Sequence, residues 1–293
     1  MADTIFDIAV VGGGPAGLSA ALTGRVRNKN VALFEHLEFS PKLQKAHLVD
    51  NYPGLPQITG KGLVQQMAAH CLAHNPTVIK EKVLNIFPGE IITLLTPVAT
   101  YQARTVILTT GVVATLLFSG EKEFLGRGVS YCATCDGMFY KDKKVAVISY
   151  SSEGEHETQF LGELCREVYY LPQYKSAQPP ALRGNVKVLA AKPRAIKGDS
   201  QVEQLVTDQD DIKVDGVFIF RESDPVENIL AGLELTGEVV KVDRAMATNI
   251  PGIFAAGDCT GKPWQIAKAT GEGLVAVLSA ISYLDTKARP AAP

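Results

Sequence analysis

The run Ile8-Ala9-Val10-Val11 is apolar at every position and enters a glycine-rich turn at once, which predicts a strand over residues 7–11 buried on both faces. Leu18, Ala20, Ala21 and Leu22 then predict a small-residue helix packed close against it. Residues 31–34 read as a second buried strand, ending at Glu35. Turn formers dominate 40–62 around Asn51-Tyr52-Pro53-Gly54, and helical periodicity resumes over 63–73. A strand over 106–111 ends on Gly111, and 112–120 reads as a crossover.

The alternation then starts again, with a strand over 144–148, a helix over 154–165, and strands over 168–171, 186–190 and 214–220. A strand over 239–243 follows, then an apolar run over 248–256 that enters Gly257-Asp258, and a helix over 268–284. Strands alternating with helices predict an α/β fold. The interruption of one such unit by another predicts two Rossmann-like domains, the first discontinuous over 1–112 and 243–293 and the second inserted over 113–242.

With 293 residues, 46% of them hydrophobic, the chain can bury a full core. Its net charge of −2 marks neither a nucleic-acid partner nor a membrane surface. The first residues carry Asp3 and Asp7 rather than a basic leader, and the apolar stretch 273–284 is too short to span a bilayer, so a cytoplasmic protein is expected. In a reducing compartment five cysteines are not a disulfide framework.

That changes the weight of Cys132-Ala133-Thr134-Cys135. Two cysteines so spaced can close a redox-active disulfide, supply half of a metal site, or be two buried hydrophobes. Cys71, Cys165 and Cys259 are single and scattered, so redox chemistry is expected and no metal. The turn Gly12-Gly13-Gly14-Pro15-Ala16-Gly17 carries a second chemistry, since G-x-G-x-x-G between strand and helix cradles a dinucleotide. Gly12 permits the turn, Gly14 admits a pyrophosphate to the backbone, Gly17 lets helix and strand pack, and the anion sits at the helix N-terminus. Glu35 suits the ribose hydroxyls, Gly111 a second close approach, and Asp258 the ribityl or pyrophosphate region of a flavin dinucleotide. The last helix begins near Gln265, Ile266 and Ala267, where its positive end suits the edge of a flavin that gains negative charge on reduction.

Taken together these residues resemble the low-molecular-weight thioredoxin reductases along nearly the whole chain. The turn at 12–17, Asn51-Tyr52-Pro53-Gly54, the run 126–140, 252–258 and Gly271-Glu272-Gly273 occur in that family's order. The resemblance implies an FAD domain with a nucleotide-type domain inserted in it, a homodimer, and a thioredoxin-like partner. It implies that Cys135 faces the flavin, that Cys132 attacks the partner disulfide, that Asp136 gives and takes the proton, and that Asn51, Gly257 and Gln265 belong to the FAD site.

The departures are as specific. The family's NADPH glycines fall on Ser149, Ser151 and Gly154, with Tyr150 and Glu153 between and beside them. Its basic patch falls on Pro172-Gln173-Tyr174, a strand-end glycine on Glu222, an arginine near the flavin on Trp264, and a flavin-side glutamine on Lys42. NADPH is therefore not expected, and the sequence is similar to the branch described as ferredoxin-linked, deeply rooted or diflavin-linked disulfide oxidoreductases. Trp264, Tyr150 and Tyr174 would plug the vacated pocket, or stack on a second flavin. The expected function is a FAD-dependent disulfide oxidoreductase with a donor such as ferredoxin. Two alternatives stand beside it: a dithiol oxidase that passes electrons to oxygen, and a flavin redox sensor without turnover.

Overall fold

The computed structural model describes residues 5–112, 118–174, 182, 184–221 and 226–288. The chain divides into two compact units, one of residues 1–112 and 223–293 and one of residues 113–222.

In chain order the first unit begins with β1 (Ile5–Val11), α1 (Pro15–Val26), β2 (Val31–Phe34), α2 (Pro41–Gln44), α3 (Gly60–Ala73) and β3 (Thr77–Ile79). A hairpin of β4 (Asn85–Phe87) and β5 (Ile92–Leu95) and the long β6 (Thr100–Leu108) complete this half. Pro15 opens α1, where a missing N–H costs nothing, and the Thr59 side chain caps α3 by accepting from Gly62 N–H at 3.1 Å.

The second unit holds β7 (Val129–Ser130), α4 (Ala133–Asp136), β8 (Lys144–Ser149), α5 (Glu153–Leu164), β9 (Glu167–Pro172) and β10 (Val186–Val188). It ends with β11 (Pro193–Gly198), β12 (Val202–Thr207), β13 (Asp211–Lys213) and β14 (Gly216–Phe220). The chain returns to the first unit through α6 (Val226–Ile229), a hairpin of β15 (Leu235–Thr236) and β16 (Val239–Val240), β17 (Ile253–Ala255) and α7 (Ile266–Ala288).

Among the described residues the first unit has a seven-stranded sheet in the order β3-β2-β1-β6-β5-β4, with β17 also on β6. The pairings of β1, β2, β3, β6 and β17 are parallel and in register, Val11 opposite Phe34 and Leu108, and Ala255 opposite Leu108. Their carboxyl ends therefore share one edge, and the residues that follow them, Gly12, Glu35, Thr109 and Ala256, emerge together. Open α/β sheets bind ligands at such an edge. The second unit has a five-stranded parallel sheet, β10-β9-β8-β14-β7, and a separate three-stranded antiparallel sheet, β11-β12-β13.

Two expectations need correction. The return to the first unit comes at residue 223 and not 243, because Val226, Ile229, Leu230, Leu233 and Val240 are buried in the first unit's core with Ile86, Val106 and Ile253. The strand expected over 239–243 stops at Val240, since the Asp243 carboxylate accepts from the N–H groups of Ala245 and Ala247 and turns the chain. Of the crossover expected over 112–120, residues 113–117 lie outside the described residues.

Candidate functional site

The three glycines of the first turn do different work. A methyl group on Gly12 would strike the carbonyl of Thr109, and Gly12 has φ +111°; one on Gly17 would strike the carbonyl oxygen of Gly12. At Gly14 a methyl group would meet nothing within 4 Å. So Gly12 and Gly17 close the turn, and Gly14 leaves open space at the amino end of α1. The side chain of Thr109 locks the turn to β6 by donating to the carbonyl of Val11 at 2.9 Å or Gly12 at 2.8 Å.

Beside it, Glu35 accepts from Gly13 N–H at 2.7 Å and from Leu37 N–H at 3.0 Å. Burial raises its carboxyl above the usual range, although these backbone donors pull the other way. Each oxygen keeps a lone pair for a further donor. His36, partly buried next to it, is pushed down to about 4 by that burial and by Lys82.

Across the sequence, the turn 257–261 arrives at the same place. A methyl group on Gly257 would sit 2.9 Å from the Ala16 side chain, and Gly273 of α7 lies against the Ala16 backbone. Asp258 thus stands by the start of α1, and burial raises its carboxyl while Lys268 and Lys42 oppose the shift. The amide of Asn51 donates to Gln265 Oε1 at 2.9 Å, which joins the loop before α3 to the start of α7. Gly111, at φ +72°, also faces open space. The residues expected from six separated stretches converge here, with Ile266 and Ala267 opening α7.

In the second unit Cys132 is disulfide-bonded, whereas Cys71, Cys165 and Cys259 are buried free thiols. Burial pushes those three up to about 11, 11 and 12, so they stay protonated and inert. Cys135 lies in α4; its side chain is outside the described residues. Asp136 closes the same turn, its N–H donating to Cys132 O at 3.2 Å and its carboxylate accepting from Ser130 Oγ at 2.7 Å. Just beyond, Met138 and Phe139 are 61% and 72% exposed, an apolar pair on the surface beside the cysteines.

The family model described as pyridine nucleotide-disulphide oxidoreductase matches residues 6–169 and 181–273. The chain belongs to this family. The thioredoxin reductase of Helicobacter pylori strain J99 is 33% identical over 96% of this chain and 99% of its own, and that of Peptoclostridium litorale 32% over 97% and 98%. Among solved structures, a ferredoxin-flavin thioredoxin reductase from Clostridium acetobutylicum is 40% identical with a TM-score of 0.89, covering 97% of this chain and 99% of its own. A thioredoxin reductase from Gloeobacter violaceus is 28% identical with a TM-score of 0.82, covering 98% and 96%. The protein is a thioredoxin reductase-like flavoprotein disulfide oxidoreductase.

In this oxidoreductase the turn after β8, where a second dinucleotide would be cradled, is filled from within. Ser149, fully buried, donates its hydroxyl to Ser151 O at 2.6 Å, and a methyl group on Gly154 would strike the Ser149 side chain. Tyr174 hydrogen-bonds to Glu155 in the first turn of α5 and lies 2.9 Å from the Tyr170 hydroxyl. Tyr150 packs its ring 5.6 Å from the Arg221 guanidinium, and Arg221 is itself buried against Glu121. Tyr150 and Tyr174 are thus packing residues of the second unit. Trp264 differs: it is 50% exposed, with the Lys262 ammonium 5.3 Å from its ring. Glu222 lies outside the described residues, as does the side chain of Glu153.

Three residues at these sites were given no role by the motif reading, although Ser130 and Glu272 lie inside its matched stretches. Lys268 donates to the carbonyls of Gly257 and Gly261, each at 2.7 Å, and pairs with Glu272 at 3.0 Å. Glu272 accepts from Gly257 N–H at 2.9 Å and Thr260 Oγ1 at 2.8 Å, so the two side chains staple the turn that carries Asp258. A Lys and a Glu four apart on the helix after Gly-Asp was the available signal. Ser130 had none, because only the fold brings it to Asp136.

Proposed function

We propose that this chain passes electrons from a donor other than NADPH, through FAD held by the first unit, to a Cys132–Cys135 disulfide and on to a thioredoxin-like partner. The open space at Gly14 and Gly111 fits a flavin dinucleotide. Gly12, Gly14, Pro15, Ala16 and Gly17 would hold its pyrophosphate at the start of α1, Glu35 its ribose, and Asp258 its ribityl chain. Asn51, Gln265, Ile266 and Ala267 would line the flavin end, where the positive end of α7 favours negative charge. Bound FAD supplies the exchange between one-electron and two-electron carriers.

The chain's own residues handle the sulfur chemistry. Reduction breaks the S–S bond with two electrons and two protons and leaves two thiols. Cys132 gives its proton to Asp136 and attacks the partner's disulfide as a thiolate; the displaced partner sulfur leaves as a thiolate. Asp136 returns that proton to the displaced partner sulfur; Cys135, giving its own proton to the sulfur it releases, then displaces the reduced partner from Cys132 and restores the Cys132–Cys135 disulfide.

One observation carries the choice of donor: the turn 149–154 is occupied by the Ser149 side chain, and Glu155 and Tyr174 stand where a phosphate would need cations. Pyrophosphate binding needs bare backbone N–H groups and positive charge. A one-electron iron–sulfur protein suits such an enzyme, and the relative from Clostridium acetobutylicum is named for ferredoxin and flavin. The test is anaerobic mixing of the flavin-loaded protein with NADPH, with dithionite as a control, followed by flavin absorbance. Bleaching by dithionite alone is expected. Rapid bleaching by NADPH defeats the assignment of the donor.

A further inference from the structure

Ser130 ends β7 and is 2% exposed, with its hydroxyl turned into the Cys132 loop. Its oxygen accepts from Cys132 N–H at 3.1 Å. Its hydrogen has two acceptors within reach, Asp136 Oδ2 at 2.7 Å and Cys132 O at 3.2 Å. The nearer one is a carboxylate, and a hydrogen bond to charge is the stronger. One hydroxyl thus ties the amide of the attacking cysteine to the carboxylate of the proton carrier. The strand behind it is fixed: Ser130 pairs with Phe218 of β14, a strand buried at every position.

We infer that Ser130 is a positioning residue for disulfide exchange, holding the Asp136 carboxylate toward the cysteine pair. This rests on the proton role proposed for Asp136. A carboxylate on a short turn, with free rotation about its side-chain bonds, would spend part of its time away from the sulfurs. The hydroxyl removes that freedom from a buried strand, the most rigid support the unit offers. A purely structural role, capping the amide of Cys132, predicts something different: its loss would be felt whether or not Asp136 carries a carboxylate.

A double-mutant cycle separates the two. Flavin-loaded protein reduced with dithionite, freed of excess reductant, is mixed without oxygen with 4,4′-dithiodipyridine at pH 7, and release of thiopyridone gives the exchange rate. Ser130→Ala is expected to slow exchange about tenfold, the range of one lost hydrogen bond to a charged group. Ser130→Thr, which keeps the hydroxyl, should restore most of the rate. In an Asp136→Asn background, Ser130→Ala should cost nothing further. An equal loss in both backgrounds overturns the positioning role while leaving Asp136 as proton carrier. No loss in Asp136→Asn alone overturns the proton role itself, and the inference with it. Should Ser130→Ala not retain flavin, Ser130→Gly removes the same hydroxyl without a methyl group and is read in the same cycle.

Discussion

Arg221 and Glu121 meet through two parallel hydrogen bonds, Nη1 to Oε1 at 2.6 Å and Nη2 to Oε2 at 2.8 Å, with side chains 1% and 0% exposed. Glu121 also accepts from the Tyr131 hydroxyl at 2.8 Å and from Phe118 N–H at 2.9 Å. Burial works against the guanidinium charge, and Glu121, together with Tyr131 and Tyr150, more than offsets it. Such a pair is most visible when half of it is removed. Arg221→Met should destabilise the protein by about 3–5 kcal/mol, and Arg221→Met with Glu121→Leu by clearly less. Urea unfolding of the two variants checks this; equal losses would show that packing, and not the stranded carboxylate, sets the cost.

Gly14 and Gly17 should separate binding from folding. Gly14→Ala has room for its methyl group, so its stability should stay within about 1 kcal/mol of the parent while FAD affinity falls tenfold or more. Gly17→Ala collides with backbone and should cost about 1–3 kcal/mol even in the apo-protein. FAD titration and melting of both apo-variants test the contrast.

His36 should make the first unit sensitive to mild acid. Its folded value of about 4 lies below the ordinary value of 6.5, so between those pH values the unfolded chain binds the extra proton. The stabilisation is therefore complete above about pH 6.5 and is lost as pH falls toward 4, by a few kcal/mol. Glu35, whose carboxyl is raised, has the opposite sign in an overlapping window and softens the effect. His36→Gln should flatten unfolding free energy between pH 6.5 and 4; an unchanged slope counts against burial of a neutral imidazole.

Restoring two glycines should not restore a nucleotide site. Ser149→Gly with Ser151→Gly clears the turn, but Glu155 and Tyr174 remain at the head of α5. The double variant should still fail to oxidise NADPH in an anaerobic flavin assay. Turnover by it would mean that the Ser149 and Ser151 side chains, and not Glu155 and Tyr174, close the site.

The parallel strands and both turns were legible because apolar runs such as 31–34 and 144–148 have one meaning when flanked by glycine turns. Motif spacing likewise marked Gly12, Gly14, Gly17 and the Cys132 region. What escaped was long-range or locally ambiguous. The hairpin of β4 and β5 lies on the sheet's margin, and its buried Ile86, Ile92 and Leu94 alternate with outward positions, some of them apolar, too briefly to declare a strand. The domain return was misplaced because Val226, Ile229 and Leu230 could have served either core; only the fold shows which one they fill. The roles of Ser130, inside a matched run but unassigned, and of Glu121, outside any motif, exist only once residues 6 and 100 positions away arrive.

The sheet of the first unit has a consequence for the newborn chain. β17 pairs with β6, Ile253 opposite Val106, and the whole second unit is translated between them. At ordinary synthesis rates the ribosome takes roughly ten seconds or more to cover that interval. The second unit is continuous in sequence and can finish folding in that time, whereas β6, already paired with β1 and β5, waits with only its Val106–Leu108 stretch unmatched on one edge. A ribosome stalled before β17 would thus carry a completed cysteine-bearing unit on a first-unit sheet that still lacks one strand.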